Sequence, residues 1–136
     1  MRMAIIHACA RFGVAFIWAW QGLFPKLLFP SIDERLMFAA AGLSVTLVPL
    51  IGVTEIIFAA ITLVFWRWRQ WFLWNALLML AALIAVAFAS PGYLVAAFNP
   101  VTLNVAMILL SLTGYVASSE LPTASRCLRQ PSRKEP

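Results

Sequence analysis

Four long apolar segments, separated by short polar or proline-containing stretches, dominate the pattern of the chain; they lie at about residues 5–24, 47–66, 71–90 and 100–118. Each is close to the roughly 20 residues that a helix needs to cross a bilayer. The strict alternation over about ten residues that marks a transmembrane β-strand does not occur in the sequence. Since only helices and closed barrels satisfy their backbone in lipid, the pattern predicts an all-α membrane protein with a four-transmembrane-helix bundle and short loops.

The connections between these segments differ in character. Residues 25–35 contain two prolines and the charged run Asp33-Glu34-Arg35, so we expect this stretch to lie in water. Residues 36–46 are apolar but too short to span a bilayer, and the sequence allows either an interfacial helix or an extension of the second span. The turn RWRQ at residues 67–70 is short, which predicts that the second and third spans are antiparallel neighbours.

The composition agrees with a membrane location. Hydrophobic residues make up 63% of the 136-residue chain and charged residues only 11%, against about 25% charged in an average soluble domain. The basic residues flank the spans or lie in the tail without forming a folded basic face, which argues against nucleic-acid binding. From Ser119 onward the sequence is polar, so we expect one domain over residues 1–118 and a disordered basic tail over residues 119–136.

The placement of the positive charges predicts the orientation. Four spans put both termini on one side of the membrane, and only two of the ten Lys and Arg residues, Lys26 and Arg35, fall on the other side when Arg11 is counted with the termini. Cytoplasmic loops collect Lys and Arg. Both termini are therefore expected in the cytoplasm.

One acidic residue, Glu55, lies near the middle of the second span. A carboxylate at that depth costs about 2.5–3.5 kcal/mol on insertion scales, so it needs a partner or a function. If the first two helices cover residues 5–24 and 47–65, the best partner by depth is Arg11, followed by Gln21, and Lys26 joins only if the second helix begins later. Such a pair either fixes helix register or lines a pocket for a head group, a proton or a quinone carbonyl, and both interpretations stay open.

Other polar residues add less. Asn99 and Asn104 bracket the start of the fourth span and are further candidates to line a pocket, although Asn99 also suits a turn. The single histidine, His7, cannot build a metal site alone and is expected at the interface or at the start of the helix. Cys9 and Cys127 form no C-x-x-C pair, so the sequence indicates neither a metal site nor thiol redox chemistry. The expected close-packing positions are Gly13, Gly22, Gly42 and Gly52.

Three motifs in a fixed order carry a family resemblance. They are Arg11 followed by WAWQGLFPKLLFP at residues 18–30, GVTEIIFAA at residues 52–60, and FNPVTLN at residues 98–104. With this order and spacing, the chain resembles the DoxX-like group of the DoxX superfamily of small four-span bacterial membrane proteins, over about residues 10–115.

The resemblance implies a four-helix bundle in the bacterial inner membrane but no single activity. Some relatives are described as the small subunit of a thiosulfate–quinone oxidoreductase, and others are linked to redox stress. It therefore implies a membrane subunit or anchor of a redox-linked system, in which electron transfer relies on a bound quinone or on a partner oxidoreductase subunit. The positions that match by motif are Arg11, Gln21, Gly22, Lys26, Glu55, Asn99 and Asn104.

Two other functions remain open at this point. A small transporter is one, although the four-span exporters that use a single membrane glutamate carry it in their first helix, and Glu55 lies in the second span. A purely structural or lipid-binding bundle is the other. Either function, like the redox one, is compatible with a homo-oligomer.

Overall fold

The computed structural model of the chain describes residues 2–96, 99–119 and 121. Its helices are α1 (Arg2–Gly22), α2 (Ile32–Ala40), α3 (Leu47–Val64), α4 (Gln70–Ala89) and α5 (Pro100–Ser118), with a π-helical turn at Leu23–Leu28 and a 3₁₀ turn at Pro91–Val95. These described ranges contain no β-strand, which confirms the all-α prediction. The predicted disordered tail lies, apart from Ser119 and Leu121, outside them.

Four helical segments are long and apolar enough to cross a membrane, as the sequence predicted: Arg2–Leu28, Leu47–Val64, Gln70–Ala89 and Pro100–Ser118. The first is longer than the predicted range 5–24 because α1 already begins at Arg2 and the π-helical turn continues it to Leu28. Large apolar side chains point outward on these helices; Val64 and Phe88 are 73% and 86% exposed. Such a surface suits lipid as the surrounding solvent.

Residues 36–46 do not extend the second span. They contain the end of α2 and a turn in which Gly42 has φ 71°, the left-handed conformation that glycine adopts without strain. The N–H of Leu43 donates to the carbonyl of Phe38 at 2.9 Å, the closing bond of a Schellman motif. α3 then begins at Leu47. No residue of α2 is fully buried, and the helix contacts both α3 and α4.

α1 lies at the centre of the bundle, packed against α3 on one side and α5 on the other, while α4 packs against α5. Close approach of α1 and α3 depends on two glycines: a Cβ added to Gly52 would lie 2.8 Å from the carbonyl oxygen of Gly22. α3 and α4 make few contacts with each other despite the short turn that joins them. Trp71 nevertheless donates its indole N–H to Oγ1 of Thr62 at 2.7 Å, and its ring contacts that of Phe58. The second and third spans are therefore neighbours beside the turn, although their backbones are not closely packed.

Candidate functional site

A cavity of about 470 Å³ lies between the four membrane-spanning helices, on the side of the bundle that carries α2. Most of its wall is apolar, with side chains from α1, α3, α4 and α5, and α2 covers one end. Polar side chains reach it at Gln21, Lys26, Glu34, Glu55, Ser90 and Asn104. The cavity therefore combines a long apolar wall with a small set of polar groups.

Lys26 joins two carboxylates at the edge of this cavity. Its Nζ lies 2.9 Å from Oε1 of Glu34 and 3.0 Å from Oε2 of Glu55. The three side chains are only 8%, 16% and 14% exposed. We call Lys26, Glu34 and Glu55 the ion cluster. With all three groups ionised it carries one net negative charge at a largely dehydrated position.

The π-helical turn explains how Lys26 reaches this position. Pro25 has no backbone N–H, so the carbonyl of Gln21 loses its usual α-helical donor. Nζ of Lys26 donates to that carbonyl at 3.3 Å. Long helical side chains lean toward the N-terminus of their helix, and this direction carries the ammonium of Lys26 back toward Glu55.

The structure corrects the predicted pairing of Glu55 with Arg11. Gly22 packs against Gly52, and Arg11 lies beside Thr62 and Phe65 at the other end of α3. Glu55 therefore lies level with a part of α1 that is about one helical turn closer to the C-terminus of α1 than we expected. That expectation assumed two ideal helices centred at the same depth. The partner is Lys26, which the sequence had ranked behind Arg11 and Gln21.

Glu34 was missed as a member of the site. The sequence placed it in water with its charged neighbours, whereas its side chain is mostly buried and bonded to Lys26. Asp33 and Arg35, on either side of it, are exposed. The only signal for Glu34 in the sequence is its position across the Pro30 turn from Lys26.

Arg11 has a different role from the predicted one. Its Nη1 donates to the main-chain carbonyls of Thr62 and, at 3.0 Å, of Phe65. These are carbonyls of the last turn of α3, which have no donor within the helix. The guanidinium also lies over the rings of Trp66 and Phe72, at 5.4 and 4.7 Å from their centroids. Arg11 thus caps α3, and the helix C-terminus and aromatic faces compensate its fully buried charge.

His7, near the start of α1, is buried next to Arg11. Its Nε2 lies 3.4 Å from Nη2 of Arg11, and its ring makes edge contacts with Trp66 and Phe72. One turn separates His7 from Arg11 on α1, so the two side chains form one packing unit at the end of the bundle opposite to the ion cluster.

The three predicted carboxamide residues separate into two groups. Gln21 and Asn104 line the cavity on α1 and α5. Asn99 instead caps α5: its Oδ1 accepts from the N–H of Thr102 at 3.0 Å, just before Pro100 in the first turn. Of the six residues predicted for a polar site, the structure therefore brings Gln21, Lys26, Glu55 and Asn104 to one cavity, and it places Arg11 and Asn99 at helix ends.

Two further hollows adjoin the cavity wall. One, of about 380 Å³, lies between α3 and α4 and is lined by Phe58, Trp68, Trp71, Trp74, Asn75 and Leu78. The other, of about 580 Å³, lies behind the ion cluster and is lined by Lys26, Pro30, Arg35, Val45, Thr46, Val48 and Pro49. Lys26 therefore borders both the central cavity and this outer hollow.

The fold and the site define a multi-spanning α-helical membrane protein with an internal polar cluster. A family model for the DoxX-like family matches residues 15–112. The match covers more than half of the chain, so the chain belongs to the DoxX-like family. No curated protein and no solved structure matches it.

Proposed function

We propose that this chain is a membrane subunit or anchor of a redox-linked system and that its central cavity binds a quinone. The observation that carries the proposal is the chemical division of the cavity. An apolar wall, including Ile17, Met79 and Met107, leads to polar side chains at Gln21, Glu55 and Asn104. A quinone has the same division between an apolar tail and a polar ring.

The dimensions support this assignment. Small-molecule sites range over about 300–1,000 Å³ and are mostly apolar with a few placed polar groups, and the volume here is about 470 Å³.

We assign electron transfer to a partner oxidoreductase subunit. The sequence has no C-x-x-C pair and a single histidine. The basic residues of the tail suit an anionic partner or lipid surface, because each Lys or Arg near a membrane contributes about 1 kcal/mol of attraction to anionic lipid. The proposal makes this chain the quinone-binding part of a larger assembly.

We further infer an inner-membrane location with both termini in the cytoplasm, which puts the ion cluster in the half of the bilayer remote from the cytoplasm. The uneven distribution of Lys and Arg supports this orientation. A reporter that works only in the cytoplasm, fused after Pro136, should be active. Activity of a periplasmic reporter at that position would overturn the orientation.

The test of quinone binding compares two neighbouring positions on α4. Ala82 lines the cavity, whereas Ala81 is exposed on the lipid-facing surface. Protein purified in mild detergent should bind ubiquinone-1, and Ala82→Phe should abolish binding by filling the cavity while Ala81→Phe leaves it unchanged. Mass spectrometry of the native preparation should show a retained quinone or a stoichiometric oxidoreductase. Equal binding by both variants would refute a site in this cavity.

One observation favours a small transporter as the second candidate. Lys26 borders both the central cavity and the outer hollow, so its movement would connect the two spaces. Flux of a solute through proteoliposomes that contain only this chain, increased by Lys26→Ala, would favour transport over the redox function.

A further inference from the structure

We propose that Asn104 binds the polar ring of the quinone, through a hydrogen bond between its carboxamide and an oxygen on the ring. This inference rests on the proposed function and assigns the contact that holds its ligand. It is carried by the hydrogen bonding of the three asparagines of the chain, in which Asn104 differs from the other two.

The side chains of Asn75 and Asn99 are paired within the protein. Oδ1 of Asn75 accepts the indole N–H of Trp18, and its Nδ2 donates to the carbonyl of Trp71 at 2.7 Å. Asn99 likewise both accepts and donates hydrogen bonds at the start of α5. These two carboxamides therefore serve the fold.

Asn104 is almost as deeply buried as Asn75 but is unpaired. Its exposed fraction is 8%, against 2% for Asn75. In the part of the chain that the structure describes, the side chain of Asn104 makes no hydrogen bond with another residue. Nearly all buried polar groups in proteins are hydrogen-bonded, and an exception calls for an explanation.

The carboxamide of Asn104 can be reached from the cavity. Elsewhere in the described residues, some buried polar atoms have neither a partner nor accessible surface, such as Nδ1 of His7 and Oγ of Ser111, but the side-chain atoms of Asn104 do not belong to this group. Asn104 lines the central cavity. A molecule in the cavity can therefore supply the hydrogen bond that the protein does not.

The ion cluster lines the same cavity but is less suited to hold the ligand. Nζ of Lys26 lies 2.9 Å from Oε1 of Glu34 and 3.0 Å from Oε2 of Glu55. It also donates to the carbonyl of Gln21 at 3.3 Å. Oε2 of each carboxylate is closed off from the cavity. The cluster is thus paired among its own members, which leaves the polar ring of the ligand to the carboxamides.

A carboxamide is chemically suited to a quinone because it carries both N–H donors and an acceptor oxygen. Nδ2 of Asn104 can donate to a carbonyl of the oxidised ring, and Oδ1 can accept from a hydroxyl of the reduced ring. Gln21 is the other carboxamide on the cavity wall. It is only half-buried, so its side chain indicates a ligand less strongly than that of Asn104.

A ligand-binding role predicts opposite effects on affinity and on stability. Without a ligand, the unpaired carboxamide of Asn104 destabilises the protein. Asn104→Leu, of similar shape, should therefore raise the melting temperature of the ligand-free protein by about 2–4 °C. Asn75→Leu removes a paired carboxamide and should lower the melting temperature. The two buried asparagines thus differ in the expected sign.

The experiment uses the full-length protein in mild detergent, washed until mass spectrometry finds no retained quinone. Melting temperatures are recorded first, and ubiquinone-1 is then titrated by calorimetry. Asn104→Leu should bind ubiquinone-1 about three- to tenfold more weakly than the wild type, which corresponds to the loss of one neutral hydrogen bond. Thr113→Val is the matched control, because it also removes a polar group from α5 but on the exposed surface, and it should leave the Kd unchanged.

The outcomes separate the two proposals. If the wild type does not bind ubiquinone-1, the proposed function is overturned. If the wild type and Asn104→Leu bind it equally well, the role of Asn104 is wrong and quinone binding stands. A melting temperature of Asn104→Leu below that of the wild type would make Asn104 a packing residue and would also overturn this role. If Asn104→Leu fails to fold, Asn104→Ala, which only enlarges an existing cavity, should show the same loss of affinity.

Discussion

Trp18 donates its indole N–H to Oδ1 of Asn75, and this hydrogen bond joins α1 to α4 through the centre of the bundle. Trp18 lines the central cavity and Asn75 lines the hollow between α3 and α4. Both side chains are buried. The bond therefore separates the two spaces as well as linking the helices.

Replacement of either partner should lower stability. We expect Asn75→Leu to cost about 1–2 kcal/mol, because it leaves the indole N–H buried without an acceptor. The double variant Trp18→Phe/Asn75→Leu should cost less than the sum of the single changes, with a coupling of about 0.6 kcal/mol and at most about 1.7 kcal/mol. Unfolding in mixed detergent micelles measures these values. If the losses in unfolding free energy of the two single variants simply added up in the double variant, the hydrogen bond would contribute nothing to stability.

Arg11→Leu should destabilise the bundle by about 2–4 kcal/mol, since hydrogen bonds from a charged group to the carbonyls of Thr62 and Phe65 are lost. The same unfolding assay in the background Glu55→Ala separates the two possible partners of Arg11. The structure predicts no rescue by the second change. If Glu55→Ala recovered the stability lost in Arg11→Leu, the result would support the pairing of Arg11 with Glu55 that the sequence predicted.

Lys26→Met should cost about 3–5 kcal/mol, because it leaves the carboxylates of Glu34 and Glu55 buried without their cation. Adding Glu34→Gln and Glu55→Gln should recover most of this loss, since neutral amides need no counter-charge. Yield in membranes and thermal unfolding in detergent report both effects. If Lys26→Met left the stability unchanged, the ion cluster would have to be solvated.

Gly52→Ala should destabilise the protein by about 1–3 kcal/mol, because the new Cβ would lie 2.8 Å from the carbonyl oxygen of Gly22 and force α1 and α3 apart. Gly92→Ala is the matched control, since no heavy atom lies within 4 Å of a Cβ at that position. Melting temperatures of the two variants compare the positions directly. Equal values would contradict the close helix crossing.

The hydroxyl of Tyr93 donates to Oδ1 of Asp33 at 3.2 Å and fastens α2 to the 3₁₀ turn. Partial burial and the Asp33 carboxylate raise the pKa of Tyr93. Because this pKa is raised, the contribution of the Tyr93–Asp33 hydrogen bond to the stability of the folded protein is complete below the free-tyrosine pKa of about 10. It is lost as the pH rises through the pKa of Tyr93 in the folded protein. Subtracting the absorbance titration of Tyr93→Phe from that of the wild type isolates the ionisation of Tyr93 and should show the raised pKa. Asp33→Asn should make the rise in this pKa smaller. A titration at the free-tyrosine value would exclude the contact.

The sequence predicted the number of spans because polar or proline-containing stretches separate each apolar segment from the next. It could not show which faces pack. On α5 the buried positions hold Asn104, Met107, Ser111 and Gly114, whereas exposed positions hold Leu109 and Leu112. In lipid, large apolar side chains suit the outer surface and small or polar ones suit helix contacts, so hydrophobicity alone does not mark the core.

The site was predicted only in part for a geometric reason. Glu55, Gln21, Lys26 and Asn104 stood out as polar residues at membrane depth, and they line one cavity. The choice of Arg11 as partner assumed two ideal helices that end together. The π-helical turn after Gly22 lengthens the first helical segment, and no hydrophobic pattern records a change in hydrogen-bond spacing from four residues to five.

That turn also has a genetic consequence. A π-helical turn closes each bond over one residue more than an α-helix does, so Leu23–Leu28 is equivalent to the insertion of a single codon. Deletion of one codon after Lys26 would remove this extra residue and restore α-helical spacing without rotating the residues beyond the turn. We therefore expect related genes to differ by one codon in this turn while they retain the ion cluster.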